Sequence, residues 1–196
     1  MKKLFLTLVA GALLWQPFAQ KWQKNFDYVD ECNCGVAKVK KDGKIGYVDI
    51  KGNIVIPLQF DEGMTFNEGY VAVRKGQNWA YIDSVGKFIT EFVYEDAMGF
   101  SEGLAPVKKA SGWGFINVSG KEAIPFVYTN ARQFSEGLAA VSTSPKDFWG
   151  FINKKGEIII SCNLDFADSF TKDGEARVSK RGQWMWINKY NQKVRD

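Results

Sequence analysis

The most informative absence in this sequence is histidine, which does not occur among the 196 residues. Without histidine, the chain can form neither a histidine-based catalytic triad nor a histidine metal site, and it lacks the usual general base near neutral pH. Catalysis would therefore have to rest on carboxylates. We expect no enzymatic activity, no cofactor and no metal site.

Long apolar runs are also absent, except at the N-terminus, where LFLTLVAGALLW follows Met1, Lys2 and Lys3. This run is shorter than the ~20 residues that span a membrane, and the small residue Ala19 follows it. The pattern predicts a cleavable signal peptide over residues 1–19, with an uncleaved anchor as the alternative. We therefore expect an exported protein, periplasmic, cell-surface or secreted, with no transmembrane segment after cleavage.

Charge of one sign is not in large excess, since 26 basic residues face 22 acidic ones and the signal segment contains two of the lysines. A nearly neutral chain gives no reason to expect a nucleic-acid partner. No linker or low-complexity tract divides residues 20–196, and this length can bury roughly 70% of the unfolded chain's surface. These residues are expected to form one domain and a monomer.

What the sequence does contain is a repeat with a period of about 34 residues, which is typical of an array of stacked supersecondary units. Its columns recur through about five copies, from near Cys32 to Asp196. One column is phenylalanine: Phe66, Phe100, Phe134 and Phe170. The next is glycine, preceded in the central copies by glutamate: Gly35, Gly69, Gly103, Gly137 and Gly174.

Each copy then reads as strands. A segment such as LAPVKK alternates constant and variable positions, which predicts one inward and one outward face. A second strand begins at Ile45, Trp79, Trp113, Trp149 or Trp184. It ends at an Asp or Asn, followed three residues later by Gly52, Gly86, Gly120, Gly156 or Asn191, a pattern typical of a type I turn with a G1 bulge. A third strand follows, and the segment before the next phenylalanine would add a fourth if it is extended.

The predicted fold class is therefore all-β: tandem antiparallel β-meander repeats, about five units of ~34 residues, in an open solenoid-like array or alternatively a closed propeller-like ring. Because the large rings recur in register, they are expected to form the repeat core, at Trp79, Trp113, Trp149, Trp184, Phe115 and Phe151. The candidate ligand surface consists of residues that break the columns or belong to the insertion Ser144-Pro145-Lys146-Asp147 of the fourth copy: Tyr70, Phe148, Tyr190 and Lys146.

Two further groups of side chains admit a chemical and a structural interpretation. Glu68, Glu102 and Glu136 could pair as acid and base, and the acidic turn residues from Glu68 to Asp173, with Asp49 and Asp83, could bind Ca²⁺. The identical place of the glutamates in each copy favours a role in the turn. Cys32, Cys34 and Cys162 predict one disulfide and one free thiol in an oxidising compartment, with the pairing open. A bridge from the first copy to Cys162 would require the array to close.

The segments FSEGLAPVKKASGWGFINVSGKEAIPFVYTNA and FSEGLAAVSTSPKDFWGFINKKGEIII resemble the WG-repeat family, also called KWG repeats. The resemblance covers essentially all of residues 20–196. Departures in other copies, such as Ile45 for tryptophan and Thr90-Glu91 for Ile-Pro, are expected to leave the fold intact. The resemblance implies a tandem β-repeat architecture on exported or envelope proteins, without a general enzymatic activity.

The function expected from these observations is a non-catalytic scaffold that binds an envelope or extracellular partner, a protein or a glycan. Two alternatives stay open at this point. One is a carboxylate-based polysaccharide hydrolase, and the other is a purely structural envelope component.

Overall fold

A computed structural model describes residues 21–33, 35–143, 146 and 148–196. Within this part of the chain the repeats form five antiparallel sheets, preceded by one 3-10 helix, Lys21–Asn25. The expected signal segment, residues 1–19, lies outside the described residues.

Each sheet follows the chain as a meander that starts with a two-residue strand. The strands of the first three sheets are β1 (Tyr28–Val29), β2 (Val36–Lys41), β3 (Lys44–Asp49) and β4 (Ile54–Phe60); β5 (Glu62–Gly63), β6 (Tyr70–Lys75) and β7 (Asn78–Asp83); and β8 (Asp96–Ala97), β9 (Leu104–Lys109), β10 (Gly112–Asn117) and β11 (Glu122–Tyr128). The strands of the last two are β12 (Asn130–Ala131), β13 (Leu138–Thr143), β14 (Phe148–Asn153) and β15 (Ile158–Leu164); and β16 (Phe166–Ala167), β17 (Glu175–Lys180), β18 (Gln183–Asn188) and β19 (Lys193–Arg195).

The short first strand settles where one unit ends and the next begins. β4 of the first sheet ends at Phe60, and after a single residue the chain enters β5, which pairs with β6 of the second sheet. The segment before each phenylalanine is thus extended and supplies a fourth strand. It carries the chain from one sheet into the next.

The core lies between the sheets rather than within any one of them. Four hydrophobic clusters each join one sheet to the following one. The phenylalanine column inserts into these contacts against an aromatic ring of the preceding sheet. The four ring pairs have centroid distances of 4.8–5.2 Å: Tyr47 with Phe66, Tyr81 with Phe100, Phe115 with Phe134, and Phe151 with Phe170.

This stacking corrects one expectation about the strands of the inner copies. Alternation predicted an inward and an outward face, but Leu104–Val107 and Leu138–Ser142 are buried continuously. The reason is that each inner sheet is covered on both faces, by the preceding and the following sheet. Only the outer copies place a charged residue at the third position of this strand, half-buried Lys38 and exposed Arg177, where the inner copies have Ala72, Pro106 and Ala140.

The two ends of the array are covered differently. Trp22 and Phe26, from the N-terminal helix and the residue after it, pack on Ala37, Val39 and Val48 of the first sheet. In the last sheet the ring of Trp184 is 47% exposed. The described sheets therefore form an open array.

The second sheet keeps the antiparallel repeat fold, but where Thr90-Glu91 replaces Ile-Pro it lacks the last regular strand of the other sheets. Residues 84–95 contain no regular strand, and only isolated bridges at Phe88 and Tyr94 continue the sheet. The Thr90 hydroxyl oxygen accepts the Tyr81 N–H at 2.9 Å, where a regular ladder would use a backbone carbonyl. Phe88 and Phe92 instead pack beside Phe60 of the first sheet.

Candidate functional site: the hairpin-end face

Every sheet presents a row of side chains beside the hairpin that joins its second and third strands. Residues directly opposite in antiparallel strands share a face of the sheet, so the strand registers define these rows. We call them hairpin-end rows one to five: Tyr28, Lys40 and Ile45; Glu62, Arg74 and Trp79; Asp96, Lys108 and Trp113; Asn130, Ser142 and Trp149; and Phe166, Ser179 and Trp184.

Rows two and three are charged. In row two Glu62 forms an ion pair with Arg74, whose guanidinium carbon lies 5.9 Å from the centre of the Trp79 ring. The Arg74 Nε is buried without a hydrogen-bond partner. In row three the Lys108 ammonium lies 3.9 Å from Glu95, the residue before Asp96.

Rows four and five carry no charge. The Ser142 hydroxyl is fully buried and hydrogen-bonds with Thr129 at 2.8 Å, and it accepts the Asn130 amide at 3.0 Å. In row five the small residue Ser179 lies between two large rings, those of Phe166 and Trp184, whose centroids are 5.5 Å apart. The row residues themselves thus change along the array from charged to uncharged.

A groove of about 480 Å³ opens between rows one and two. It occurs where Ile45 takes the place of the tryptophan found in the later copies. One wall is the half-buried Trp79 ring. The lining residues combine basic, acidic and apolar side chains: Lys38, Lys40, Ile45, Asp61, Glu62, Gly63, Met64, Thr65 and Trp79.

The acidic groups at this groove are paired with cations. Lys44 lies 2.6 Å from an Asp61 carboxylate oxygen, and this hydrogen bond, with the Gly76 N–H, holds the pKa of Asp61 below its ordinary value. Lys38 is paired with Asp30 at 3.2 Å. Among the described residues Lys40 forms no ion pair. The groove is therefore close to neutral, with one cation left free.

A second feature lies between rows four and five, where cations and rings alternate. The guanidinium of Arg132 lies 5.1 Å from the centre of the Trp149 ring and 5.0 Å from that of Phe166. The Phe166 ring contacts Trp184, over which the Arg177 guanidinium lies at 4.4 Å. We call these five residues the arginine–aromatic stack.

The candidate ligand residues from the sequence are not brought together. Tyr70 is half-buried and its ring packs 5.1 Å from Phe100, so it belongs to the contact between sheets rather than to a free surface. Phe148, 36% exposed, and the exposed Lys146 lie at the hairpin between β13 and β14. Tyr190, 85% exposed, lies in the turn between β18 and β19, at the opposite end of the strands.

The residues expected in the repeat core differ in burial. Trp113, Phe115 and Phe151 are buried, while Trp79 and Trp149 are half-buried. Trp184 departs from the expectation, because no further described sheet covers the face on which it lies.

The turn residues have the backbone conformation that their pattern indicates. Gly52, Gly86, Gly120 and Gly156 have φ between 74° and 86°, and Asn191 has φ 60°. In the first of these turns an Asp49 carboxylate oxygen accepts the N–H groups of Lys51 and Asn53. The glutamates before the other glycine column also have positive φ, 52° to 55° at Glu68, Glu102 and Glu136.

The recurring glutamates bind backbone across the sheet boundary. The Glu68 carboxylate accepts the N–H groups of Glu102 and Gly103, and both Glu102 carboxylate oxygens accept the Gly137 N–H. Burial alone would raise the pKa of Glu102, but Lys154 and these backbone donors outweigh it and hold the pKa below its ordinary value. In the described structure these carboxylates therefore serve to join neighbouring turns.

Cys32 and Cys162 are free thiols in the structure, the first exposed and the second half-buried, and Cys34 lies outside the described residues. Burial raises the pKa of the Cys162 thiol. The described part of the chain contains no group of three or more Cys, Asp or Glu side chains that could hold a metal ion. It also contains no helix of the length and apolarity that a membrane crossing requires.

Comparison with known families agrees with this repeat geometry. The family described as WG containing repeat matches residues 45–79, 79–111, 113–143 and 149–184, so that its segments start at the hairpin-end column of successive sheets. The chain belongs to the WG-repeat family. No curated protein sequence matches this WG-repeat chain.

Solved structures with a similar fold are β-propeller-like repeat proteins. Hsv2 from Kluyveromyces lactis has 12% identity and a TM-score of 0.53, covering 82% of this chain and 59% of its own. A eukaryotic initiation factor has 11% identity and a TM-score of 0.57, covering 85% of this chain and 53% of its own. The WG-repeat chain thus spans little more than half the length of these proteins, and the likeness concerns the fold alone.

Sequence reasoning did not identify Arg74, Arg132 or the hairpin-end rows. The signal was present, because the basic residue opposite each tryptophan changes to serine in the last two copies. This change from basic residue to serine becomes informative only when the two-residue strand at the start of each sheet is known to pair with the long strand that follows it. That pairing supplies the third residue of each row.

Proposed function

We propose that this WG-repeat protein is an exported, non-catalytic scaffold that binds a glycan of the envelope or extracellular space, with the groove between rows one and two as the binding site. The observation that carries the proposal is the groove of about 480 Å³ beside the Trp79 ring. A pocket of this kind, with one aromatic wall and a few polar groups, is typical of small-ligand sites.

The chemistry of the groove favours a neutral sugar over a charged group. The Trp79 ring offers an apolar face for the C–H side of a pyranose, while Thr65, Lys40 and the carboxylates around the groove offer hydrogen bonds to hydroxyl groups. Because Asp61 and Glu62 are already paired with cations, a ligand of either charge would gain little from them. A peptide partner is the alternative outcome of the experiment below.

The proposal is tested by filling the groove. Ile45→Trp restores the residue that the later copies have at this column and should occupy the space beside Trp79. Ile54→Trp is the matched control, because it adds the same ring at an exposed position of the same sheet. Binding would be measured on a glycan array and by pull-down from an envelope extract, with thermal melts to check folding.

We expect the parent chain and Ile54→Trp to bind neutral oligosaccharides. Ile45→Trp should bind them at least tenfold more weakly. Retention by all three proteins would overturn the groove as the site. Enrichment of a protein and no glycan would overturn the glycan proposal, and enrichment of nothing would overturn the binding function.

A further inference from the structure

The arginine–aromatic stack between rows four and five has a different chemistry from the groove, and it lies at the other half of the array. Its rings are partly exposed: Trp149 and Phe166 are half-buried, and Trp184 is 47% exposed. Its two charged members are both arginines.

The two arginines differ in what remains free on their guanidinium groups. Arg132 donates its Nε–H to the carbonyl oxygen of Ala167 at 2.8 Å, and its Nη2 lies 3.7 Å from Asp168, which fixes the group between the rings. Arg177 forms no hydrogen bond or ion pair through its side chain within the described structure. It is held only by its contact with Trp184, so its fork of N–H donors faces solvent.

An arginine in this state is suited to a planar anion. The guanidinium presents paired donors that match the two oxygens of a carboxylate, and stacking on a ring restricts its orientation before a ligand arrives. The adjacent Trp184 and Phe166 rings offer apolar faces beside those donors. A ligand that combines a carboxylate with a flat C–H face would use both.

We propose that the arginine–aromatic stack is an anion subsite that binds acidic oligosaccharides, in which a uronic acid ring packs on the part of Trp184 that Arg177 leaves exposed and its carboxylate accepts hydrogen bonds from Arg177. Arg132 holds the Phe166 and Trp149 rings in place and contributes positive potential. The subsite is separate from the groove beside Trp79, and it does not require that groove to bind a neutral sugar.

An acidic peptide is the less suitable ligand. Its carboxylates lie on flexible side chains that contain no ring, so they cannot pack on the aromatic rings of the stack. A pyranose uronate carries its carboxylate directly on the ring that stacks. The geometry therefore favours a sugar acid.

The test uses an oligogalacturonate and the same oligomer with its carboxylates reduced to alcohols, titrated by calorimetry into the chain and into two variants. Arg177→Gln removes the free guanidinium. Lys172→Gln removes the same charge from an exposed turn at the opposite end of the same sheet. Thermal melts of each variant check that the fold is retained.

We expect the acidic oligomer to bind and the reduced oligomer to bind at least tenfold more weakly. Arg177→Gln should weaken binding of the acidic oligomer by about tenfold, as expected for a lost charge-assisted hydrogen bond. Lys172→Gln should weaken the same binding by less than twofold. Trp184→Ala should weaken both oligomers.

Equal binding of the acidic and reduced oligomers would overturn the proposal, as would equal losses in Arg177→Gln and Lys172→Gln or the absence of binding. A glutamate oligopeptide of the same charge, if it bound as tightly as the sugar, would contradict the sugar-acid assignment. The variant Ile45→Trp should leave binding of the acidic oligomer unchanged. A failure of the subsite proposal can therefore be told from a failure of the proposed groove site.

Discussion

The Glu68 carboxylate in one repeat accepts the backbone N–H of Glu102 in the next at 2.6 Å, and the neighbouring N–H of Gly103 at 2.9 Å. Two successive N–H groups that converge on one carboxylate form an anion-binding concavity in the backbone. Because residue 102 is itself a glutamate, it repeats the contact one sheet further on. Glu68 and Glu102 thus link three successive glutamate–glycine turns.

Removing one of these glutamates should destabilise the array. We expect Glu102→Ala to lower the free energy of unfolding by about 1–2 kcal/mol, since the N–H of Gly137 loses a charged acceptor. Glu136→Ala is the matched control: its φ is also 55°, but among the residues that the structure describes its carboxylate contacts Lys189 alone, at 3.2 Å. An exposed ion pair contributes about 0.2–1 kcal/mol. Urea unfolding of the two variants measures the difference, and equal losses would contradict a structural role for the backbone contact.

The same carboxylate predicts a loss of stability in acid. The pKa of Glu102 is held below its ordinary value of 4.5 in the folded protein, by Lys154 and backbone donors that outweigh burial. A carboxylate whose pKa is lower in the folded than in the unfolded protein stabilises the fold at pH values above its unfolded pKa. This stabilisation is lost as the pH falls through the folded pKa. The parent should therefore lose more stability than Glu102→Ala between pH 5 and the acid limit of folding. Urea titrations at several pH values test this, and parallel curves would refute it.

The repeat and its strands could be predicted from the sequence because they depend on local chemistry. The asparagine and aspartate turns, the glycines with positive φ and the 34-residue period each require particular residues at particular places. Phe134 illustrates why the core was also accessible: a large ring that recurs in register cannot be buried within one meander, and it packs on Phe115 of the preceding sheet.

What the sequence did not provide depends on contacts between units. The inner strands looked half-exposed because Pro106 and Ala140 vary between copies, yet the next sheet covers them. The acceptor role of Glu102 was assigned to its own turn, whereas the donors belong to the next unit. The arginine–aromatic stack needed the same information, since Arg132 and Phe166 come from different sheets and meet only after the chain crosses between them.

Two glycines with the same conformation should respond differently to a methyl group. Gly120 and Gly137 have φ of 74° and 84°, so alanine costs about 1 kcal/mol at either. A Cβ at Gly120 would in addition overlap the carbonyl oxygen of Ile89 in the preceding sheet, while one at Gly137 would meet no atom within 4 Å. We expect Gly120→Ala to cost about 1–3 kcal/mol more than Gly137→Ala in chemical denaturation. Similar losses would show that the segment around Ile89 moves away easily.

Buried tyrosines should make the array sensitive to alkali. The Tyr81 hydroxyl donates a hydrogen bond to the Met98 carbonyl oxygen at 2.5 Å, and burial raises the pKa of Tyr81 far above its ordinary value of 10.0. In the unfolded chain this hydroxyl ionises near pH 10. Its contribution to the free energy of unfolding is therefore complete below that pH and is lost as the pH rises further.

Tyr81→Phe is a mild change, because Phe115 and Phe151 have the corresponding place in later sheets. At pH 7 it should cost about 1 kcal/mol for the lost hydrogen bond. Between pH 9 and 11 its stability should fall less steeply than that of the parent. The reciprocal variant Phe151→Tyr adds a hydroxyl at the equivalent buried position and should steepen the fall. Urea midpoints across this range measure both, and unchanged slopes in both variants would mean that these hydroxyls reach solvent before the array unfolds.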